Sequence, residues 1–580
     1  MKKHFLTRIT AVIISVLMLF SLCACNSAST PTPSTPSEYP KNGEKKIVTT
    51  TKNIYSPTGE SEQLNVAHYE NEEEILFIEI NLAVNEFLNK FVLAKSNNSA
   101  TVKEDDTMVT IVRDNESYCQ LDFVKDTVCF DDFDYFNSAS YDATPHDLLA
   151  SSYTNSEGKS EYFERGLSFF TPGYAIEIDL AERNIPLDIY EGKKYIPLQT
   201  FNDLFVCPYG VNIAYNGENL FVLIGSSISS EISNLYYNKE KTPRSAALTE
   251  FNYNELCLFL DLYYGLQYEH GFTDGFDYYL ENIGLKDEFL KPDATYSYNA
   301  LGTLTFGYIA DMHSSIASAS PYVGAPAPAE GSNIKVNSSV ANAIAENARY
   351  AAARAEQLGE EVTFYQKVGN TAFVTFDEFS FARSGNYEAD LEPIGDTITI
   401  ISAVHQLIIA DEEIENVVLD LSCNGGGAVD SAIYTVAWML GHCDFSIYNS
   451  ATGSRGSISY KADINFDHEF NEEDSISDKN LYCLVSPVSF SCGNLVPAIL
   501  KASNKATIIG KPSSGGGCVV HHGSTADGTA FTISDSKQMT TVKNGSYYGI
   551  DHGVEPDIPL TKIESFYNRT ELVQYINAIK

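Results

Sequence analysis

From about Thr363 to Gly510 the chain alternates short apolar runs with longer segments of helical period: "TAFVTF", "IGDTITIISAVHQLIIA", "IENVVLDLS", "SAIYTVAWMLG", "NLYCLVS", "LVPAILKAS", "ATIIG". Runs such as "VVLDL" and "YCLVS" are apolar at nearly every position, as strands covered on both faces must be. Strands that alternate with helices imply right-handed crossovers and a mostly parallel sheet. Ligands of such sheets bind beyond the carboxyl ends of the strands. The residues just after "VVLDL" and "YCLVS" are therefore where chemistry is to be sought.

Upstream the pattern changes twice. Residues 47–230 read as short strands between turns, such as "TMVTIVRD" and "YCQLDFVKDTVCF". Residues 245–330 place apolar residues at helical spacing, in "LTEFNYNELCLFLDLYYGLQYEHGF" and "YNALGTLTFGYIADMHSS". A linker and an alanine-rich helix fill 331–362, and the α/β core occupies 363–580. The fold class expected is thus α/β and α+β: a C-terminal, mostly parallel α/β core with a helical subdomain, and an N-terminal α+β strand-rich module.

The first 25 residues form another kind of segment. A basic "MKKHFLTR" precedes the apolar "ITAVIISVLMLFSL", too short to span a bilayer but suited to a signal peptide. It ends in "LCAC", which resembles the bacterial lipobox, and that resemblance implies lipidation at Cys25. A Ser/Thr/Pro-rich tether follows over 26–46. The expectation is a lipid-anchored protein on the extracytoplasmic face of the cell membrane.

Lys and Arg number 38 against 77 Asp and Glu, a formal charge of −39. Such a surface repels phosphate backbones, so nucleic acid is not an expected partner. The nine cysteines beyond Cys25 form no CxxC pair and no Cys/His metal spacing, and no metal or cofactor is called for. Cys119 and Cys129 are placed to pair across a hairpin.

Two stretches carry the chemistry. "VVLDLSCNGGGAVDSA" sets Gly425 to Gly427 after a buried strand and before a helix. Neither GxGxxG nor GxxxxGK[ST] is present, which leaves an oxyanion hole as the catalytic use of these glycines. "YCLVSPVSFSCGNLVPAILKAS" sets serines at the next strand-to-helix corner, where one is either a helix cap or a nucleophile.

The order of motifs resembles the tail-specific, or C-terminal-processing, serine protease family, over about residues 245–565. Its "DLRxNxGG" corresponds to "DLSCNGGG", with Ser422 in place of arginine. "FSCGN", "IIGKPSSGGG", "GVEPDI" and "ADMHSS" correspond to four further family motifs. The resemblance implies a serine peptidase that acts on peptides or unfolded segments through an acyl-enzyme, with Ser491 as nucleophile. The usual dyad lysine would stand at position 516, which is Gly516, and Lys511 is not assigned the role of base. In the lysine-less, tricorn-like branch the base maps onto His313, on an expected helical element, and the acid onto Asp551. Ser314 beside His313 is a candidate for orienting it. His521 and His522 remain rival bases. The oxyanion donors would be the N–H of Cys492 and that of Gly426 or Gly427.

A second resemblance covers Lys193 to Gly225, where strand, short helix and two strands are similar to the N-terminal module of copper amine oxidases. That module carries no copper and implies a stalk or adhesion unit. A peptide- or ligand-binding lipoprotein on the same fold, without catalysis, is the alternative reading.

Overall fold

The computed structural model describes residues 45–93, 98–114, 116–138, 144–149, 162–238, 242–324, 334–381 and 396–579. The signal peptide, Cys25 and nearly all of the tether lie outside them. No helix among the described residues is long and apolar enough to cross a membrane.

The C-terminal sheet has six strands in the order Tyr365–Val368, Thr371–Thr375, Asn416–Asp420, Asn480–Val485, Ala506–Gly510 and Ile558–Pro559. The first pair is antiparallel and every other pair is parallel. The apolar runs divide by parity, as strand geometry requires. Ala372, Val374, Val417, Leu419, Cys483, Val485 and Ile508 enter one core with the helices Thr397–Ile409, Val429–Leu440 and Cys492–Ser503. Phe373, Val418, Tyr482, Leu484 and Ile509 enter another, closed by Tyr350, Phe566, Leu572 and Ile576. Both faces are covered, which is why these strands show no polar alternation.

A second sheet of seven strands is built on the long strand Ala530–Lys543. The main path runs Ser315–Ser318, Ala530–Lys543, Cys443–Asn449, Arg455–Ala462, Phe163–Thr171, and Cys518–Ser524 and Ser546–Gly549 also pair with Ala530–Lys543. The Phe163–Thr171 strand comes from within the 47–230 stretch, so that stretch contributes directly to a C-terminal sheet.

The rest of the N-terminal region forms a seven-stranded sheet and a five-stranded antiparallel one. The strand Lys193–Pro197, the helical turn from Leu198, and the strands Val211–Tyr215 and Leu220–Ile224 follow the expected order. Helices Ala246–Tyr263, Phe276–Asn282 and Ala294–Thr303 supply the expected helical segment. One continuous core joins these parts: Phe87, Phe205 and Leu256 share it with Phe531 and Ile533.

Cys119 and Cys129 do not pair. Register sets Cys119 opposite Phe130 and Gln120 opposite Cys129, a one-residue offset that sends the two thiols to opposite faces.

The N-terminal module also meets the helical segment through buried acids. Glu255 Oε1 accepts the Thr200 hydroxyl, and Asp203 Oδ1 accepts from Gln199 Nε2 at 2.8 Å and Asn202 Nδ2 at 2.9 Å. The second oxygen of each acid is buried without a partner. Burial pushes Glu255 up to about 8 from 4.5, and it also raises Asp203 well above the ordinary carboxylate range, the Glu255 charge adding to it. A raised acid binds its proton more tightly folded than unfolded. Its stabilising contribution is therefore complete below the ordinary glutamate range and is lost as pH rises through about 8. Glu255→Gln keeps the shape and removes the titration. The wild type should lose more stability than this variant between pH 5 and 9, read as the difference in Tm; parallel curves would refute the assignment.

Candidate active site

The Asn480–Val485 strand ends in a corner laced by hydroxyls. Ser486 Oγ donates to Ser422 O at 2.5 Å and Ser489 Oγ to Leu421 O at 2.7 Å, which binds the corner to the end of the neighbouring strand. Asn424 completes the tie, its carbonyl accepting the Phe490 N–H at 3.2 Å and its Nδ2 donating to Phe376 O at 3.0 Å.

Ser491 sits at the turn with φ 56° and ψ −122°, in a region non-glycine residues avoid. Its side chain does not cap the helix it precedes. The cap function that would make a serine ordinary here is therefore not exercised. The backbone is held in place by the Ser491 N–H, which donates to Gly515 O at 2.9 Å. Strain of this kind costs about 1–3 kcal/mol and persists only where the surroundings over-determine it.

Two glycines make the corner possible. A Cβ on Gly426 would lie 2.6 Å from Ser491 Cβ and 3.1 Å from its Oγ, so the loop after Asp420 lies directly against the hydroxyl. A Cβ on Gly516, at φ 81°, would lie 2.6 Å from Phe490 Cε2 and 2.9 Å from Ser491 N. No lysine side chain fits at 516. Lys511 directs its Nζ over the Tyr350 ring at 5.9 Å.

The Gly425–Gly427 turn is held from outside by the segment 377–379. Gly425 N–H donates to Asp377 O at 3.2 Å, Phe379 N–H to Gly426 O at 2.8 Å, and Ala428 N–H to Phe379 O at 2.7 Å. Arg354, on the helix Ser338–Leu358, grips both oxygens of Asp377 at 2.5 and 2.6 Å. Gly426 N–H is spent inside the turn on Asn424 Oδ1, at 2.9 Å. Among the described residues neither Gly427 N–H nor Cys492 N–H has an acceptor. Cys492 turns its Sγ to Gly427 O at 3.1 Å, and burial pushes its thiol up to about 12.

His313 arrives from elsewhere in the chain. It lies in the turn between the helical residues Leu304–Ile309 and the strand Ser315–Ser318, not on a helix as expected. Its own Asp311 explains this: Oδ1 accepts the Ser314 N–H at 2.7 Å and Oδ2 the Ser314 hydroxyl at 3.0 Å, a local closure that competes with helix. The His313 ring packs on Phe490 with centroids 4.8 Å apart, beside Ser491. It is 8% exposed, and burial lowers its pKa below 6.5 against the opposing charges of Asp311 and Asp551.

Asp551 Oδ1 accepts the Gly517 N–H at 2.8 Å. A buried relay fixes its loop to the helix that follows Ser491. Ser513 Oγ donates to Asn494 Oδ1 at 2.6 Å, and Asn494 Nδ2 donates to Ile550 O at 2.9 Å. Among the described residues no hydrogen bond joins Ser491, His313 and Asp551, and His313 Nδ1 is buried without a partner.

The rival histidines are committed elsewhere. His521 Nδ1 meets Asp535 Oδ2 at 2.7 Å and its ring stacks on Tyr263 at 4.1 Å. His522 Nδ1 meets Ser226 Oγ at 3.1 Å. Asp311, Asn494, Ser513 and the Arg354–Asp377 pair were not read from sequence. Asp-x-x-Ser in "DMHS" is an Asx-turn signal that would have found Asp311.

Residues 371–560 match the model of Peptidase family S41. Ser491, Cys492, Gly426, Gly427 and Asp551 fall within that segment, and His313 outside it. The match supports a serine-type peptidase domain in the C-terminal region. A curated Chlamydia pneumoniae protein known by locus designations alone is 32% identical over 103 residues, 18% of this chain and 16% of its own length. The photosystem II D1 C-terminal processing protease is 21% identical over 33% of this chain and 42% of its own, with a TM-score of 0.25. A lipoprotein from Streptococcus agalactiae is 14% identical over 59% of this chain and 99% of its own, with a TM-score of 0.35. These two structural likenesses are too slight to carry argument.

The strain at Ser491 is directly measurable. Glycine adopts φ 56° without steric strain, and relief of about 1–3 kcal/mol exceeds its entropic cost of about 0.5–1 kcal/mol, so Ser491→Gly should be more stable than Ser491→Ala. Equal melting temperatures for the two variants would show that the corner is unstrained.

Proposed function

We propose that the chain is a serine endopeptidase that cleaves peptides or unfolded protein segments through an acyl-enzyme. The observation that carries this reading is Ser491: a strained residue whose hydroxyl does not cap its helix, set against the Gly426 turn and beside the ring-packed His313.

In this reading His313 takes the Ser491 proton as the hydroxyl attacks the scissile carbonyl. A neutral imidazole is required, and burial supplies it by disfavouring the charged form. Asp551 keeps one oxygen on Gly517 N–H and offers the other to His313 Nδ1, which lacks a partner. That contact would complete the triad and stabilise the imidazolium. The oxyanion falls to the N–H groups of Cys492 and Gly427, each donor contributing about 3 kcal/mol. Gly426 N–H joins them only if Asn424 releases it. His313 then returns the proton to the leaving amine, and water repeats the sequence on the ester.

We place this activity outside the cytoplasm on a lipid anchor at Cys25, on the strength of the basic, apolar and lipobox-like segments in order. The unpartnered His313 Nδ1 favours one second reading, a peptide-binding lipoprotein whose site does not turn over.

Fluorophosphonate labelling of the folded chain separates the two. A single adduct on the wild type, lost in Ser491→Ala and reduced at least about 100-fold in His313→Ala, is expected of the peptidase. The labelling rate should climb through an apparent pKa below 6.5 and level off above it, because the reactive form is neutral His313. No adduct on folded wild type supports binding without catalysis. A rate that rises only above pH 8, untouched by His313→Ala, removes His313 as base.

A further inference from the structure

The peptide unit between Gly426 and Gly427 is the part of the glycine turn on which an oxyanion hole depends, because it carries the Gly427 N–H. Its carbonyl edge is fixed: Gly426 O accepts the Phe379 N–H at 2.8 Å. A trans peptide is planar, with N–H and C=O on opposite sides. The bond from Phe379 therefore turns the Gly427 N–H away from residue 379, and among the described residues that N–H meets no acceptor. Ala428 N–H donates to Phe379 O at 2.7 Å, which closes a short parallel bridge between Phe379 and Gly427.

The turn does little to secure this orientation by itself. Within it the Gly426 N–H is tied to Asn424 Oδ1 at 2.9 Å. Gly426 and Gly427 take φ 113° and 131°, and a peptide flanked by two glycines rotates with little steric penalty. A Cβ on Gly427 would lie 2.1 Å from Phe379 O, so the approach that fixes the peptide also excludes a stiffer residue. The order of the turn thus depends on the segment 377–379 against which it lies.

That segment is held at both ends. Beyond Phe379, Ser380 N–H donates to Thr397 Oγ1 at 2.9 Å and Ser431 Oγ donates to Ser380 O at 2.7 Å. At the near end Asp377 O accepts the Gly425 N–H at 3.2 Å, and among the described residues the Asp377 carboxylate is met by Arg354 alone. This contact is bidentate, a geometry that fixes orientation as well as distance. The Asp377 side chain is 38% exposed, and ion pairs at the surface add little to global stability. The effect of this pair is therefore to be sought in the turn.

Arg354 is itself firmly placed. On the same helix, Ser338–Leu358, the Tyr350 ring packs on Phe566 with centroids 5.3 Å apart, and Gln357 Nε2 donates to Glu564 O at 3.0 Å. At the other end Asn337 N–H donates to Phe306 O at 2.8 Å and Asn337 Nδ2 to Gly307 O at 3.2 Å, in the helical residues that lead into the His313 turn. One helix thus connects the glycine turn with the segment that carries His313.

We propose that Arg354 is a positioning residue for the oxyanion turn. Through Asp377 it holds the segment whose Phe379 N–H orients the Gly426–Gly427 peptide, and so keeps the Gly427 N–H available to an oxyanion developing at Ser491. The catalytic part of this role rests on the reading of Ser491 as nucleophile; the clamp on the turn does not.

Two readouts on the full chain test it, in wild type and in Arg354→Gln. Amide hydrogen exchange reads the turn directly. In the variant the amides of residues 425–428 should exchange at least about tenfold faster, while those of the strand Asn416–Asp420 keep their wild-type rates. Fluorophosphonate labelling should slow at least about tenfold at every pH with its midpoint unmoved, because His313 is untouched. Arg354→Lys, which keeps the charge and loses the fork, should show both changes to a smaller extent. Arg354→Gln combined with Asp377→Asn should be no slower than the slower single variant, since both remove one contact. Unchanged exchange at 425–428 in folded Arg354→Gln overturns the proposal, and so does wild-type labelling from a loosened turn. Faster exchange throughout the C-terminal sheet overturns it as well, because the pair then serves the fold and not the turn. Folded wild type that takes no label removes the peptidase reading and this catalytic role with it, while exchange still decides whether Arg354 holds the turn.

Discussion

The hydrogen bond from Ser491 N–H to Gly515 O ties together three segments that are remote from one another in structural origin. One is the corner after a parallel strand, one is the glycine-rich loop after the next strand, and one is the Asp551 loop that packs on that glycine-rich loop. This bond acts with the Ser486, Ser489 and Asn424 contacts to hold Ser491 at φ 56°. Gly516 answers the same constraint from the other side, since any side chain there would collide with Phe490 and the Ser491 amide. The lack of a lysine at 516 is therefore a packing requirement of this corner.

The His313 turn reaches this corner from the second sheet. Thr532 Oγ1 donates to His313 O at 2.6 Å, and Ser315 in the following strand pairs with Thr532, so the His313 turn is carried by the long strand Ala530–Lys543. The same strand carries Cys518–Ser524 and pairs with Cys443–Asn449. Ser491 and His313 are thus carried by different sheets, and His313 meets the Ser491 corner at Phe490.

The N-terminal region is bound to this arrangement by polar contacts as well as by a shared core. Gln199 Nε2 donates to Ser524 O at 2.7 Å, Asn212 Nδ2 to His522 O at 3.2 Å, and the Tyr236 hydroxyl to Gly528 O at 2.5 Å. His521, a rival base on sequence grounds, has its ring and its Nδ1 engaged in the same contact zone, with Asp535 held ionised: burial raises that acid, and the His521 charge and hydrogen bond outweigh it. A region this interleaved contributes to the stability of the sheet that carries His313.

Several features were legible in the sequence because they depend on local pattern. The apolar runs gave strands of the right parity, the helical periods gave the crossover helices, and the small-residue corners at 422–427 and 486–493 fell at strand ends, where backbone geometry alone places them. Others were not legible, because they depend on what comes near in space. Sequence left the oxyanion amide open between Gly426 and Gly427; the tertiary fold spends the first on Asn424. It left three histidines as possible bases; packing sets one against Phe490 and buries another against Asp535. The Arg354 grip on Asp377 joins residues whose pairing no periodicity encodes. Chain composition and spacing determine which elements form, since each element is stabilised over a few neighbouring residues. Which side chains meet is decided only when distant elements pack, because that choice is made by excluded volume and by unpaired buried polar groups, neither of which exists until the core has closed.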